Sequence, residues 1–175
     1  LSEIAQRVVD KRINVINALN KTLTQNYTVI AGGNNMLLTS YESKINNNAS
    51  YGSKMLKILE TDLTKDMARG FSSVGPHRDD LSIMLDGNEL RGFASRGETR
   101  TAILALKKCE TSLLEEKTRQ KPILLFDDVF SELDGKRRKL LTGFLNDYQT
   151  LITTTDADII DKSYAQKTNL LELNN

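Results

Sequence analysis

Four stretches of the chain carry apolar side chains at intervals of roughly three to four residues, which is the spacing of an amphipathic helix. This pattern predicts helices over residues 1–24, 55–67, 99–117 and 136–145. The second of these helices is expected to end near Gly70, because glycine is typical of helix C-termini. The chain is therefore expected to be rich in helices.

Short β-compatible runs separate the predicted helices in the first part of the chain. Residues 27–31 and 36–41 flank two glycines and two asparagines at 32–35, a turn-forming sequence that favours a hairpin. Residues 45–53 are rich in asparagine and serine and are expected to form a polar loop. Residues 1–70 are therefore predicted to be an accessory region of helices and one hairpin.

Strands and helices alternate in the remainder of the chain. Residues 81–85, followed directly by a tight turn, predict one strand. Residues 122–126 form a continuous apolar run, which is typical of a strand covered on both faces of a parallel sheet, and residues 150–153 predict another strand. This order of strand, helix and strand is that of α/β proteins. We therefore predict an α/β region over residues 71–175.

The composition excludes several classes of protein. The chain has 175 residues, of which 39% are apolar, and this is enough for an ordinary core rather than for disorder, collagen or a coiled coil. Its single cysteine, Cys109, excludes an intramolecular disulfide and a cysteine-based zinc site. Its single histidine, His77, excludes most histidine-rich metal sites and most catalytic-triad chemistry. No apolar run reaches the length of a membrane span, so an intracellular protein is expected.

The charge is nearly balanced overall but is divided unevenly along the chain. The net charge of +1 excludes a strongly polybasic nucleic-acid binder. Residues 1–70 carry nine basic and six acidic side chains, whereas residues 71–175 carry 15 and 17. A modestly basic first part thus precedes a more acidic second part, and a local basic surface is still compatible with the composition.

Two adjacent carboxylates follow the apolar run at 122–126. In open parallel sheets ligands bind beyond the carboxyl ends of the strands, where Asp127 and Asp128 are expected to lie. The first suits Mg²⁺, which prefers oxygen ligands, and the second suits a group that orients or deprotonates an attacking water. The same pair also fits a loop start or a helix cap, and the residues alone favour neither alternative.

A second candidate site precedes the helix at 99–117. Residues 95–98, Ser-Arg-Gly-Glu, place a hydroxyl and a glycine at a helix N-terminus, where backbone N–H groups can bind phosphate. The same four residues also fit a capping box between the serine and the glutamate. This structural alternative is favoured when the motif is considered alone. The chain contains no phosphate loop of the form G-x-x-x-x-G-K-[ST]. A nucleotide site would therefore need a phosphate cradle from elsewhere.

The chain contains four longer motifs in a fixed order: GPHRDDL at 75–81, FASRGETRT at 93–101, PILLFDDVFSELD at 122–134 and LITTTD at 151–156. Together they resemble the C-terminal portion of the RecF family, bacterial recombination mediators and DNA-repair ATPases. The resemblance implies an α/β fold, the C-terminal part of an ABC-type P-loop NTPase head. Residues 71–175 would be its parallel-sheet Walker B lobe, and residues 1–70 a mainly helical accessory lobe. The Walker A half is expected outside this chain, which begins with Leu1 rather than Met.

The resemblance implies that residues 95–98 are the ABC signature motif. Ser95, Gly97 and Glu98 would bind the γ-phosphate of an ATP held by the opposite subunit. Arg96 and Glu98 differ from the glycine and glutamine that are commoner in ABC signatures, although the small and hydroxyl positions are kept. The implied cofactors of the complete protein are ATP and Mg²⁺.

The resemblance also assigns roles around the two carboxylates. Asp127 matches the Walker B ligand of Mg²⁺, and Asp128 takes the place of the usual catalytic glutamate. Ser131 and Asp134 match the D-loop that crosses the dimer interface. Thr155 stands where many ABC ATPases have a switch histidine.

Three further residues are candidates for binding DNA or stabilising the head: His77, Arg78 and Arg100. A histidine beside an aspartate is more often a hydrogen-bonded structural residue than a catalytic one. The basic run at 136–139 would either contact DNA phosphates or form a solvated helix face, and the second alternative is favoured.

The function implied by the resemblance is DNA repair, recombination and replication, including the SOS response, in the bacterial cytoplasm at the nucleoid. The complete protein would be an ATP-dependent homodimeric clamp on DNA at single-stranded/double-stranded junctions. It would hydrolyse ATP slowly, as a weak DNA-dependent ATPase, and support recombinase loading at single-stranded gaps together with mediator proteins. This chain alone is expected to be inactive.

Two alternatives to this function are compatible with the residues. One is a Rad50- or SMC-like structural ATPase head, which a long coiled coil between two half-heads would favour. The other is a Mg²⁺-dependent nuclease or phosphoesterase that uses Asp127 and Asp128, together with Asp79 and Asp80. The nuclease alternative predicts DNA cleavage without ATP.

Overall fold

The computed structural model of the chain describes residues 1–45, 50–131, 133–154, 168, 169 and 171. The chain forms two compact units, the first of Leu1–Thr24 and Asn35–Phe93 and the second of Gln25–Asn34 and Ala94–Asn175. This division differs from the expected one at residue 70. The reason is that residues 80–85 form a strand that pairs with residues 37–42 and so belong with the first part of the chain.

The first unit is built from helices and a small antiparallel sheet. Its elements are α1 (Ser2–Asn20), the start of α2 (Leu23–Ala31), β1 (Leu37–Glu42), α3 (Tyr51–Thr61), α4 (Leu63–Arg69), β2 (Asp80–Leu85), β3 (Asn88–Glu89) and the short α5 (Leu90–Phe93). The sheet has the order β1-β2-β3, with Leu37 opposite Leu85 and Glu42 opposite Asp80. Helix α1 packs on α3 and β1. The core consists of Ala5, Val9, Ile45, Tyr51, Met55 and Val74.

The predicted hairpin around residues 32–35 is wrong. Residues 27–31 belong to helix α2, and β1 pairs with β2 instead. Leu23, Tyr27 and Ile30 are at most 8% exposed and lie at helical spacing on one face, so burial of this face favours a helix. Gly32, whose φ is +76°, follows the helix directly in the left-handed conformation that commonly terminates helices.

The helix predicted over residues 55–67 is divided into α3 and α4, which meet at Asp62. Its predicted end at Gly70 is confirmed. Gly70 has a φ of +76° and donates its N–H to the carbonyl of Asp66 at 2.9 Å. A glycine adopts this left-handed conformation at low cost, so the end of α4 follows from the local sequence.

The second unit has the predicted α/β layering. It contains the remainder of α2, α6 (Arg96–Thr118), β4 (Leu124–Asp127), α7 (Gly135–Leu145) and β5 (Thr150–Thr153). Strands β4 and β5 are parallel, with Leu124 opposite Thr150 and Asp127 opposite Thr153. A core of Leu124, Phe130, Leu133, Leu141 and Leu145 lies between the sheet and α7. No helix in the described part of the chain is both long and apolar enough to cross a membrane.

The expectation that both faces of the strand at 122–126 are covered is wrong for this chain. Leu124 is buried, whereas Ile123 and Leu125 are 58% and 75% exposed. Successive side chains of a strand point to opposite faces, so only the face that carries Leu124 packs on the core. An apolar run alone cannot distinguish a strand covered on one face from a strand covered on both.

Candidate nucleotide and metal site

The two carboxylates lie at the carboxyl end of the parallel sheet, as predicted. Asp127 is the last residue of β4 and is exposed. Asp128 follows it and is half-buried, with a φ of +46°. This left-handed conformation is uncommon for a residue with a Cβ atom, and such residues cluster at functional sites. The chain thus turns sharply between the two acidic side chains.

A hydroxyl group on the neighbouring strand contacts both acidic residues. Thr153, the last residue of β5, donates its Oγ1–H to Asp127 Oδ1. The N–H of Asp128 donates to the carbonyl oxygen of Thr153 at 3.1 Å and to its Oγ1 at 3.2 Å. The sequence prediction selected Thr155 and missed Thr153, although the ends of two parallel strands are expected side by side. Thr155 itself lies outside the described residues.

Asp128 is held by a second hydroxyl but keeps one oxygen unused. Ser131 Oγ lies 2.9 Å from the Asp128 carbonyl oxygen and 2.8 Å from its Oδ2, so its hydroxyl can donate to either. Asp128 Oδ1 is buried and has no hydrogen-bond partner among the described residues. Buried polar atoms are nearly always paired, so this oxygen is an acceptor suited to a ligand or a water. The finding favours a functional carboxylate over a helix cap, because the cap of α7 is Asp134.

The donor atoms at this end of the sheet fit Mg²⁺ and not a softer metal. They are carboxylate and hydroxyl oxygens, from Asp127, Asp128 and Thr153. Within the described ranges no group of three His, Cys, Asp or Glu side chains could enclose a metal ion. This is compatible with Mg²⁺, which is usually bound through one or two carboxylates, with substrate phosphates and water as the remaining ligands.

At the N-terminus of α6 the capping box is present. The N–H of Ser95 donates to Glu98 Oε2 at 2.8 Å, and Ser95 Oγ accepts from the Glu98 N–H at 3.3 Å. The Ser95 hydroxyl also donates to the Glu98 carboxylate, at 2.7 Å. Ser95 and Arg96 are exposed, and Gly97 is half-buried. The carboxylate of Glu98 therefore already places a negative charge at the helix end where the prediction expects phosphate.

One arginine connects the start of α7 to α6. Asp134 caps α7 by accepting the N–H of Arg137 at 2.9 Å, and this bond, together with the nearby guanidinium, lowers the pKa of the Asp134 carboxyl. The guanidinium also forms an ion pair with Asp134. On its other side, Arg137 Nε donates to Thr101 Oγ1 at 2.7 Å, and Thr101 is buried in α6. Asp134, at the start of α7, and helix α6 are thus joined within one unit.

The basic run at 136–139 is not a uniform solvated face. Besides the contacts of Arg137, Arg138 donates its Nε–H to the carbonyl oxygen of Phe130 at 3.0 Å. Two of the four basic side chains therefore hold the segment that links β4 to α7. Spacing along a helix did not reveal this, because the partners lie on other elements.

His77 and Arg78 belong to the first unit and stabilise their own loop. His77 Nε2 lies 3.0 Å from Ser72 Oγ. A Cβ on Gly75, whose φ is +139°, would lie 2.8 Å from the imidazole, so the ring requires glycine there. Arg78 Nε donates to the Ser72 carbonyl at 3.1 Å, and its guanidinium stacks on the Phe71 ring. These contacts fit a structural role. The third candidate, Arg100, is half-buried in α6 of the second unit.

Asp79 anchors a polar cluster that sequence reasoning did not identify. Its Oδ2 accepts hydrogen bonds from the hydroxyls of Tyr41 and Tyr51, both at 2.6 Å. Burial and the Asp79 carboxylate raise the pKa of Tyr41 to about 12, and they raise the pKa of Tyr51 as well. Arg12 donates to the Tyr41 hydroxyl at 3.5 Å and to the Pro76 carbonyl. Asp79 thus holds β1 and α3 to its loop, and Arg12 connects α1 to the same cluster.

Curated proteins match the chain along most of its length, whereas no protein-family model matches it. The DNA replication and repair protein RecF of Agathobacter rectalis is 37% identical over 166 residues, which are 95% of this chain and 44% of that protein. The protein of the same name from Streptococcus pyogenes serotype M4 is 43% identical over 162 residues, or 90% of this chain and 44% of that protein. The chain spans slightly less than half the length of these relatives.

Solved structures agree with these matches. A structure of the recombination mediator protein RecF with ATP in the RecFOR pathway has a TM-score of 0.76 at 33% identity, over 90% of this chain and 43% of that one. A second structure, of RecF with ATPrS, has a TM-score of 0.76 at 32% identity, over 92% and 44%. Sequence and fold therefore point to the same set of proteins.

Proposed function

Because the chain belongs to the RecF family and has the α/β fold of the C-terminal part of an ABC-type ATPase head, we propose that it provides half of a DNA-repair ATPase. The curated relatives are DNA replication and repair proteins, and the similar structures contain ATP or ATPrS. This chain carries the Walker B carboxylates and the signature helix. It has no G-x-x-x-x-G-K-[ST] loop, so the phosphate cradle is assigned to the rest of a RecF-length protein.

ATP hydrolysis is assigned to the carboxylates at the end of β4. Asp127 is exposed and would hold Mg²⁺, which neutralises charge on the phosphates when bound. Asp128 would orient the attacking water or accept its proton through Oδ1. The observation that carries this proposal is Asp128 Oδ1, which is buried and accepts no hydrogen bond from any described residue. Leaving such an oxygen without a donor costs free energy, which a bound water would recover.

The N-terminus of α6 is assigned to the γ-phosphate of an ATP bound by the opposite subunit of a homodimer. In the described conformation Glu98 occupies the Ser95 N–H and hydroxyl, so the capping box must open for phosphate to bind. One anion then replaces another at the positive end of the helix, which limits the cost of the exchange. Ser131 and Asp134, both exposed, would lie near this dimer contact.

The complete protein would act as an ATP-dependent clamp on DNA that loads recombinase at single-stranded gaps with its mediator partners. The solved RecF structures are described as a recombination mediator in the RecFOR pathway, and this supports mediator partners. Slow hydrolysis would release the dimer from DNA. A location in the bacterial cytoplasm is part of the same proposal.

The dimer assignment is tested by Ser95→Arg in the RecF-length protein. The bulky cation fills the approach to the N-terminus of α6, so ATP-dependent dimerisation, measured by analytical ultracentrifugation, is expected to be lost. ATP binding by the monomer should stay within about twofold of the wild-type value, because the opposite subunit's ATP is the one affected. Ser112→Arg is the matched control, since Ser112 is exposed farther along the same helix.

Two results would contradict the proposal. Loss of ATP binding by the Ser95→Arg monomer would show that the signature helix acts within its own subunit. Mg²⁺-dependent cleavage of DNA by this chain without ATP would instead favour the nuclease alternative.

A further inference from the structure

We infer that Thr153 is the positioning residue for both acidic residues of the proposed ATPase site, holding the Asp127 carboxylate and the Asp128 backbone N–H through one hydroxyl group. The inference rests on the proposed function of this site. In addition to pairing with β4, the end of β5 would then orient the acidic residues of the site. The chemistry concerned is the binding of a hard divalent cation and of the nucleotide phosphates that share it.

The hydroxyl of Thr153 is used in both of its hydrogen-bonding capacities. It donates to Asp127 Oδ1 and accepts from the N–H of Asp128 at 3.2 Å. A hydroxyl is among the few side-chain groups that donate and accept through one atom, so valine at this position would lose both contacts. The bond to Oδ1 sets the rotation of the Asp127 carboxylate, and its Oδ2 stays available to a cation.

The second contact stabilises an uncommon backbone conformation. Asp128 has a φ of +46°, and its N–H is shared between the carbonyl oxygen and the hydroxyl of Thr153. On the other side, Ser131 Oγ lies within hydrogen-bonding distance of both the Asp128 carbonyl and its Oδ2. The residue is therefore held at both ends, and within the described ranges its buried Oδ1 is left without a hydrogen-bond partner. Thr153 thus holds the backbone from which the Asp128 side chain projects, while Ser131 contacts its Oδ2.

The position of Thr153 in the structure favours a positioning role over a packing role. The residue is exposed, so its methyl group contributes little to the core. Thr150, at the other end of the same strand, also carries a hydroxyl, but that group bonds to the Tyr148 carbonyl at 3.2 Å and lies opposite Leu124 rather than an acidic residue. Thr150 is therefore a matched control on the same strand.

The experiment compares Thr153→Val, Thr153→Ser and Thr150→Val in the RecF-length protein. Mn²⁺ serves as the probe for Mg²⁺, and its binding in the presence of the slowly hydrolysed analogue ATPγS is followed by electron paramagnetic resonance. Loss of residues that orient metal ligands typically costs roughly 10–100-fold in metal affinity or activity. Thr153→Val should weaken Mn²⁺ binding by about tenfold and lower kcat by a similar factor, whereas ATP binding without metal should stay within about twofold.

Rescue by the conservative variant distinguishes positioning from packing. Thr153→Ser keeps the hydroxyl and should restore Mn²⁺ binding and kcat to within about threefold of wild type, whereas Thr150→Val should leave both unchanged. Wild-type Mn²⁺ binding in Thr153→Val would overturn the inference. It would also be overturned if Thr153→Ser were as defective as Thr153→Val, or if Thr150→Val were equally defective.

Asp127→Asn, tested in parallel, separates this inference from the proposed function. If Asp127→Asn abolishes nucleotide-dependent Mn²⁺ binding but Thr153→Val does not weaken it, only the role of Thr153 is wrong. If Asp127→Asn binds Mn²⁺ as well as wild type, the metal assignment itself fails, and the inference fails with it.

Discussion

The sequence Asp-Asp occurs once in each unit, and the two pairs differ in how their carboxylates are used. Asp79 and Asp80 stand at the start of the antiparallel strand β2, whereas Asp127 and Asp128 stand at the end of the parallel strand β4. Oδ2 of Asp79 accepts two tyrosine hydroxyls, whereas Oδ1 of Asp128 is buried and has no partner in the part of the chain that the structure describes. The same dipeptide thus belongs to a structural cluster in one unit and to a candidate reaction centre in the other.

The difference follows from what surrounds each pair. Around the half-buried Asp79, the hydroxyls of two aromatic side chains from β1 and α3 donate to the carboxylate. Among the described residues, one hydroxyl reaches the Asp128 side chain, Ser131 Oγ at 2.8 Å from Oδ2, and the backbone N–H of Asp128 itself donates to Thr153. The Asp79 carboxylate therefore stabilises its own unit, whereas Asp128, at the carboxyl end of a parallel strand, has an acceptor oxygen suited to a ligand.

The largest effect is expected from Asp128→Asn in the RecF-length protein. An amide oxygen can still accept from Ser131, but the side chain is a far poorer base, so kcat for ATP should fall by roughly 100-fold or more. ATP binding, measured by equilibrium dialysis, should change by less than about threefold. Asp80→Asn, in the other pair, is the control, because Asp80 is exposed and bonds only locally to Leu81 N–H. Unchanged ATP hydrolysis by Asp128→Asn would show that the two aspartate pairs do not differ in catalytic role.

The next effect concerns stability of the first unit. Asp79→Ala leaves the hydroxyls of Tyr41 and Tyr51 without their shared acceptor, and we expect the free energy of unfolding of this chain to fall by about 2 kcal/mol. Asp80→Ala should change it by less than about 0.5 kcal/mol, because surface substitutions have small effects. Urea denaturation followed by circular dichroism measures both. Equal effects of the two substitutions would show that the tyrosine contacts contribute nothing specific.

The smallest effect is a pH dependence that comes from the tyrosines of the same cluster. The pKa of Tyr41 is raised to about 12 by burial and by Asp79, above its ordinary value of 10.0. Between these values the unfolded chain has lost the tyrosine proton and the folded chain keeps it, so stability should fall as pH rises through this range. Tyr41→Phe should make the decline less steep in urea titrations at pH 9 to 11. An unchanged slope would contradict the raised pKa.

Local sequence was sufficient to predict an element where the residue type permits few alternative conformations. Gly70 ends α4 because glycine adopts a positive φ at low cost, and the apolar run before Asp127 formed a strand as predicted. The residues at 27–31 were assigned to the wrong element, because a short apolar run fits a strand or one face of a helix. Burial of Tyr27 and Ile30 decided between them.

The place of the two acidic residues after a strand and the capping box at the start of α6 were predictable from the sequence, but the supporting contacts of the candidate site were not. Arg137 was expected on a solvated face, yet it joins Asp134 to Thr101 across two helices. Thr153 gained its role from the register of two strands whose pairing partners are 26 residues apart. Contacts of this kind depend on three-dimensional neighbours, which spacing along the chain does not specify.

By itself, the sequence determined which chemistry is present: two carboxylates after a strand, a hydroxyl and a glycine at a helix start, and no phosphate loop. These features depend on residue type and on periodicity over a few positions. Only the tertiary structure decided that one Asp79 oxygen accepts two tyrosine hydroxyls, that a buried Asp128 oxygen has no hydrogen-bond partner among the described residues, and that Thr153 bonds to both Asp127 and Asp128. Hydrogen bonds act over about 3 Å, so the use of each polar group depends on which distant segments folding brings to that range.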